Sequence, residues 1–199
     1  MININELKRL LTDDPLPQAP SGRLYRQATV LMPIFDSRDE ACLLGVLKTD
    51  TEGYPWRNQV ALPGGHVDHT DASALAAAYR EIKEELNIGP ATLDVVGSLG
   101  HFPTIRQTEI EAFVAFWDGD GEGMRFDPLE ISRVLHIPLR ELVRTHTKKH
   151  YENRIPDVFE LIYPFGNDEI VIWGVTARII HFFLEHLRES APEWFREGL

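Results

Sequence analysis

The chain has 199 residues, 43% of them hydrophobic and 26% charged, with a formal net charge of −11; this is the profile of one soluble globular domain with a sizeable core. Such acidity disfavours non-specific binding to nucleic acid or anionic membrane, and no run approaches the ~18 continuous apolar residues that a membrane-spanning helix needs. A single cysteine, Cys42, excludes an intrachain disulfide framework and a cysteine-based zinc site, and its apolar surroundings predict a buried, inert thiol.

The first residues, Met-Ile-Asn-Ile-Asn-Glu-Leu-Lys, lack the apolar run of a signal peptide, so a cytoplasmic location is expected. Residues 1–24 read as an N-terminal arm or short helix. Ile4, Leu7, Leu10 and Leu11 are apolar at helical spacing over 3–12, and Pro15, Pro17 and Pro20 then force an extended connection. Ala28 to Phe35 and Ala41 to Leu47 predict two buried strands joined as a hairpin at Ser37-Arg38-Asp39-Glu40. Lys48 to Asn58 is a polar loop carrying Tyr54, Trp56 and Arg57. That cluster suits either stacking of a base with pairing of a phosphate, or a tryptophan packed as a lid on its own loop.

Pro63-Gly64-Gly65 is a turn that permits unusual backbone angles and close backbone approach. A helix over about Ala72 to Leu86 follows, with Asp71 or Thr70 as N-cap and Asn87 as a left-handed C-cap. At about 100° per residue, Leu75, Tyr79, Ile82 and Leu86 form its core stripe. Glu81, Glu84 and Glu85 crowd a separate sector. Like charges three and four residues apart cost a helix about 0.2–0.5 kcal/mol per pair, and the C-terminal half disfavours anions. Lys83 and Arg80 offset part of this. Ala74, Ala77 and Ala78 share that sector and are expected to leave room above the carboxylates, an arrangement suited to a hard divalent cation. The plain alternative is a solvated, Glu-rich helix face.

Beyond the helix, Thr92 to His101 and Glu109 to Trp117 predict strands joined by a loop, His101 to Arg106, that can reach the carboxylates. Glu109 and Glu111 share one strand face, as further ligands or bases or as an exposed strand end. The Asp-Gly alternation at 118–123 fails the EF-hand spacing. Ile131 to Ile137 predicts a strand and Leu139 to Thr145 a short helix. Residues 146–156, with His146, Lys148, Lys149, His150 and Arg154, read as a basic loop, either over the site or simply solvated. Phe159 to Tyr163 and Glu169 to Trp173 flank a hairpin signal at Gly166-Asn167-Asp168, and Val175 to Leu187 predicts a final core helix. The eight histidines show no metal-binding pattern by spacing; His66 and His69 merely flank the glycine turn.

Gly65, Arg80-Glu81 and Glu84-Glu85 together resemble the Nudix box of Nudix hydrolases. The gap from Gly65 to Arg80 is one residue longer than in the general box, Asp71 stands at the acidic position and Asn87 at the closing glycine. The extra residue also occurs in the coenzyme A pyrophosphatase branch, whose Gly-Gly-x-x-Asp-x-x-Asp pattern is similar to Gly64 through Asp71. Gln59 to Gly65, Asp127 to Ile131, Ile137-Pro138-Leu139 and Ile172 to Ala177 also resemble segments of that branch. Its upstream Leu-Leu-Thr-x-Arg-Ser signature is not met, since Leu43-Leu44 is followed by Gly45-Val46-Leu47-Lys48, and Asn58 and Arg57 do not reproduce its glycine and arginine.

The resemblance implies an α/β fold, an α/β/α sandwich with a mixed central sheet, over residues 25–199. It implies Mg²⁺ or Mn²⁺ held by Glu81, Glu84, Glu85 and the carbonyl of Gly65. Glu81 or Glu84 would activate water, Arg80 would orient Glu81, and Arg57, Gly64 and Arg106 would meet a small nucleotide substrate. Coenzyme A or an acyl derivative is the expected substrate, giving 3′,5′-ADP and 4′-phosphopantetheine. ADP-ribose or another nucleoside diphosphate derivative is the alternative, and a non-catalytic nucleotide sensor is the rival of a different class. A homodimer is a family habit; nucleic-acid and membrane partners are not expected.

Overall fold

The computed structural model describes residues 9, 16–18, 25–38, 40–53, 56–119, 123–152, 161–167 and 169–196. The helix expected over 3–12 therefore lies, but for Arg9, outside the described residues, as do Tyr54, Pro55, Arg154 and the Phe159–Glu160 part of an expected strand.

Nine strands are described: β1 (Arg26–Ser37), β2 (Glu40–Lys48), β3 (Val60–Ala61), β4 (Gly64–His66), β5 (Leu93–Pro103), β6 (Thr108–Trp117), β7 (Ile131–Pro138), β8 (Tyr163–Phe165) and β9 (Ile170–Ile172). The α-helices whose bounds fall within the described residues are α1 (Ala74–Leu86), α2 (Leu139–Lys148) and α3 (Gly174–Ser190). A mixed sheet runs β3-β2-β1-β6-β5, with β4 beside β1 and β7 beside β2, and β8 and β9 form a separate antiparallel hairpin. The β1–β2 hairpin is antiparallel, pairing Ile34 with Leu43, whereas β1 and β6 run parallel from Arg26↔Thr108 to Ile34↔Phe116.

Strand alternation sorts the core into two layers. On β1, Leu31 and Phe35 face one way with Phe113 and Ala115 of β6 and Ala78, Ile82 and Leu86 of α1. Met32 and Ile34 face the other way, with Ala112, Val114, Leu142, Val143, Ile180, Phe183 and Leu187. Helix α1 thus covers one face and α2 and α3 the opposite face, which makes an α/β/α sandwich. Cys42 is buried in the α1 layer, and burial, then Glu40 and Asp36, push its thiol up to about 11. Pro17 lies over the β5 edge, its carbonyl accepting from the His101 N–H at 2.8 Å, so a row of strand donors is partly covered.

Several local expectations are corrected. Helix α1 begins two residues late because Ser73, not Asp71 or Thr70, is its N-cap: its Oγ accepts from the Ala76 N–H at 3.1 Å. Asp71 is engaged elsewhere. Ala77 and Ala78 leave no room above the carboxylates; both are fully buried. Residues 146–148 are the last turn of α2 rather than loop, and His146 is completely buried. The glycine turn itself contributes a strand, because Gly64–His66 pairs antiparallel with Ala28–Val30.

Candidate active site

The box helix and the glycine turn meet at β1. Gly64 has φ +153°, and a Cβ there would fall onto the Thr29 carbonyl oxygen and lie 2.7 Å from the Val30 Cα; only glycine lets β4 lie so close to the central strand. Gly65 faces the helix. A Cβ on it would overlap the Glu81 carboxylate, with Oε2 at 2.7 Å. The carboxylate therefore occupies the space that a side chain at 65 would fill.

Arg80 fixes this geometry. Its Nε and Nη2 donate to the two oxygens of Asp71 at 3.1 and 2.9 Å, and Nη2 also donates to the His66 carbonyl at 3.1 Å. Its Nη1 donates to Glu81 Oε1 at 2.9 Å and Glu84 Oε2 at 3.1 Å. Such charge-assisted forks are strong and directional. The guanidinium, with its side chain 28% exposed, binds the turn at one end and two carboxylates at the other. The Asp71 hydrogen bond from Arg80, reinforced by the Asp68 N–H, holds the Asp71 carboxyl below its ordinary range. Asp71 thus serves as anchor for Arg80 rather than as helix cap.

Glu85 occupies a different place from its neighbours. Its side chain is 7% exposed, against 18% for Glu81 and 60% for Glu84. One Glu85 oxygen accepts from Lys48 Nζ at 2.8 Å and the other from the Gly64 N–H at 3.0 Å. Lys48 also donates to Glu130 at 2.9 Å. Burial lowers the Lys48 affinity for its proton, but the Glu85 and Glu130 carboxylates together more than reverse this and hold the ammonium above its ordinary value. Burial pushes the Glu85 carboxyl up. The like-charge crowding seen in the sequence is therefore relieved by Arg80 on two glutamates and Lys48 on the third. Lys48 escaped the sequence reading because its partners lie 37 and 82 residues away.

On the other side of β4 is a narrow cleft of about 50 Å³ between Gln27, Ala28, Val67, Ala74, His101, Glu109 and Glu111. The two strand glutamates therefore face the box helix rather than open solvent, and His101 Nδ1 lies 2.7 Å from Glu109 Oε1. A larger concavity between Phe35, Trp117, Arg140 and Trp194 lies towards the far end of β1 and contains none of the box residues.

Arg57 is exposed and paired with Asp50 at 2.8 Å. Arg106 is exposed in the β5–β6 turn, beside the start of β1, at the sheet end where β4 pairs. Neither touches the box in an assigned hydrogen bond. Trp56 is 46% exposed.

The donor set fits a hard divalent cation. Glu81 and Glu84 converge on one positive centre, Arg80 Nη1, and oxygen is the only ligand type they offer. Glu85 has both oxygens committed, so joining a metal would require it to leave Lys48 or Gly64.

A model of the NUDIX domain matches residues 25–158. The Nudix hydrolase NudL of Escherichia coli strain K12, itself uncharacterised, is 34% identical over 159 residues, 78% of this chain and 80% of that protein. Its counterpart from Photorhabdus laumondii is 28% identical over 182 residues, 91% and 96% of the two chains. Among solved structures, a MutT/nudix family protein from Enterococcus faecalis aligns over 94% of this chain and 70% of its own, with TM-score 0.55 and 13% identity. The MutT protein of Methanosarcina mazei Go1 aligns over 86% and 99%, with TM-score 0.51 and 17% identity. With the matched model spanning both the glycine turn and the Arg80–Glu85 helix, the chain belongs to the Nudix hydrolases, enzymes that act on nucleoside diphosphate derivatives with divalent cations.

Proposed function

We propose that this chain hydrolyses the pyrophosphate bond of coenzyme A or an acyl derivative, releasing 3′,5′-ADP and 4′-phosphopantetheine. The observation that carries the hydrolytic part is the Glu81 carboxylate seated against Gly65 and pinned with Glu84 by one guanidinium nitrogen. Glu81, Glu84 and the Gly65 carbonyl are the groups that would hold Mg²⁺ or Mn²⁺, with Glu85 joining if it exchanges Lys48. The bound ions would neutralise charge on the diphosphate and acidify a water. Glu81 or Glu84 orients that water and takes its proton. Arg80 positions both carboxylates and, with its donors engaged by Asp71, the His66 carbonyl, Glu81 and Glu84, does not meet substrate.

Support for the coenzyme A substrate comes from the segments outside the box. Ile172-Trp173-Gly174-Val175-Thr176-Ala177 forms the end of β9 and the start of α3. The β9 strand packs near β3, which leads into the glycine turn. Trp173 and Trp56 are 49% and 46% exposed, flat surfaces on elements flanking that turn and suited to adenine stacking. Arg57 and Arg106 would pair phosphates, and the exposed Arg57–Asp50 bridge is weak enough to exchange. The domain doing this spans 25–199, with 1–24 as an arm.

The departures at Gly45 to Lys48 and at Asn58 favour keeping ADP-ribose, or another nucleoside diphosphate derivative, as the second reading. A silent sensor is disfavoured by the presence of all three box glutamates. A panel of coenzyme A, acyl-coenzyme A, ADP-ribose and dinucleotides, incubated with Mg²⁺ or Mn²⁺ and read by mass, tests these readings. Release of 3′,5′-ADP from coenzyme A, abolished by Glu81→Gln in a folded protein, is expected. Preferred cleavage of ADP-ribose selects the second reading, and no products from any member selects the sensor.

A further inference from the structure

Across the sheet from the box, His181 and Glu185 lie one turn apart on α3, and His146 lies in the last turn of α2. One ligand atom from each comes within 4.8 Å of the others; among the described residues no other trio of His, Cys, Asp or Glu does so. His146 is fully buried, His181 is 2% exposed, and the Glu185 side chain is 21% exposed. Sequence spacing concealed the group, because its third member comes from another helix 35 residues upstream of His181.

We propose that His146, His181 and Glu185 form a second cation site, selective for Zn²⁺ or a similar borderline ion and distinct from the box. Two imidazoles and one carboxylate are a common zinc donor set, with a fourth position left for water. The oxygen-only box prefers harder ions. The outer contacts already have the form that such ligands need. His146 Nδ1 is 2.9 Å from the Tyr163 hydroxyl, which leaves Nε2 as its inward atom. Glu185 Oε2 accepts from Arg188 at 2.7 Å, which leaves Oε1 as a monodentate ligand. Partners of this kind fix ring orientation and carboxylate geometry around bound metals.

The ring geometry agrees. With Zn–N near 2.0 Å, an imidazole centroid sits about 3.2 Å from the ion, and two on a tetrahedral centre are about 5.2 Å apart. The His146 and His181 centroids are 5.1 Å apart. His146 Nε2 and Glu185 Oε1 are now 2.7 Å apart, at hydrogen-bond distance. A tetrahedral edge is about 3.3 Å, so loading would widen the pair by about 0.6 Å. The bound ion would fasten α2 to α3 behind the sheet.

The test uses the full chain, stripped with EDTA, reloaded with Zn²⁺ and desalted, then analysed for metal. One zinc per chain is expected, with a raised melting temperature, and Co²⁺ should give the visible absorption of a tetrahedral centre. His181→Gln and Glu185→Gln should each weaken zinc binding at least ~100-fold, and Tyr163→Phe about 10–100-fold. Glu81→Gln should leave this zinc in place. Absence of retained zinc together with no tetrahedral cobalt spectrum overturns the proposal. So does zinc that persists in His181→Gln and Glu185→Gln but is lost in Glu81→Gln. Should one of the helix variants fail to fold by circular dichroism, the wild-type cobalt spectrum and Tyr163→Phe still decide.

Discussion

Adjacent glycines with different neighbours give a sharp test of the site. In Gly65→Ala the new methyl displaces only the tip of the Glu81 side chain, and the carboxylate must swing away by about an ångström. Its 2.9 Å bond from Arg80 is lost. A charge-assisted bond is worth about 1.5–3 kcal/mol, but Arg80 retains Asp71, Glu84 and the His66 carbonyl, so the stability cost should be near 1 kcal/mol. For a chain of this length that is about 2–4 °C in melting temperature. A catalytic carboxylate displaced by about 1 Å should cost about 10²-fold in kcat. In Gly64→Ala the methyl meets the Thr29 carbonyl and the Val30 Cα, which are backbone of the central strand and cannot yield. Strain and overpacking at about 1–3 kcal/mol each predict a loss of about 2–6 kcal/mol. Initial rates with Mg²⁺ on the substrate turned over by the wild type, alongside thermal melts of both variants, separate the two effects. Full activity in Gly65→Ala, or equal destabilisation by both substitutions, would contradict the seating of Glu81 against Gly65.

Other outcomes follow from the same contacts. Lys48→Met strands the Glu85 carboxylate in a buried setting and should cost about 3–5 kcal/mol at neutral pH by chemical denaturation. Because burial raises the folded-state Glu85 pKa above its ordinary 4.5, that deficit should shrink as pH falls towards and below 4.5 and persist above the raised value; a pH-independent deficit would be inconsistent. The Arg80–Asp71 fork holds the Asp71 pKa below 3.8, so its contribution is present above about pH 3.8 and is lost as pH falls through the depressed value. Wild type and Asp71→Asn should converge in acid melts. With its thiol near 11, Cys42 is about one-thousandth thiolate at pH 8, and alkylation followed by mass spectrometry should label it only on unfolding.

The architecture was readable where periodicity is strong. The continuous apolar runs of β1 and β2, the alternation along β6 and the stripe Ile82–Leu86 produced the expected hairpin, central strand and box helix within a few residues. Asn87 adopts the expected left-handed cap, φ 57°. The box was legible because Arg80, Glu81 and Glu84 are local in sequence and Arg80 donates to both glutamates. What sequence could not supply was long-range partnership. Nothing near Lys48 announces Glu85, nothing near Asp71 says that Arg80 outcompetes the helix N-terminus for it, and the buried role of His146 depends on Tyr163 and Glu185 of later elements. Gly64–His66 carries only three residues, too few for an alternation to be seen, and becomes a strand through pairing with β1.

The two cation clamps on α1 have a mechanical consequence. A helix held at one point can still roll about its axis and slide along it. Here Arg80 fastens one turn to the glycine corner, and Glu85, about 7.5 Å further along, fastens the next to Lys48 on β2 and to the Gly64 N–H. Two anchors on different supports remove both freedoms. The position of Glu81 is thus set by a truss that includes residues from β2 and the 68–71 turn. Grafting the box helix onto another scaffold would transfer its carboxylates but not their alignment, unless counterparts of Asp71 and Lys48 travel with it.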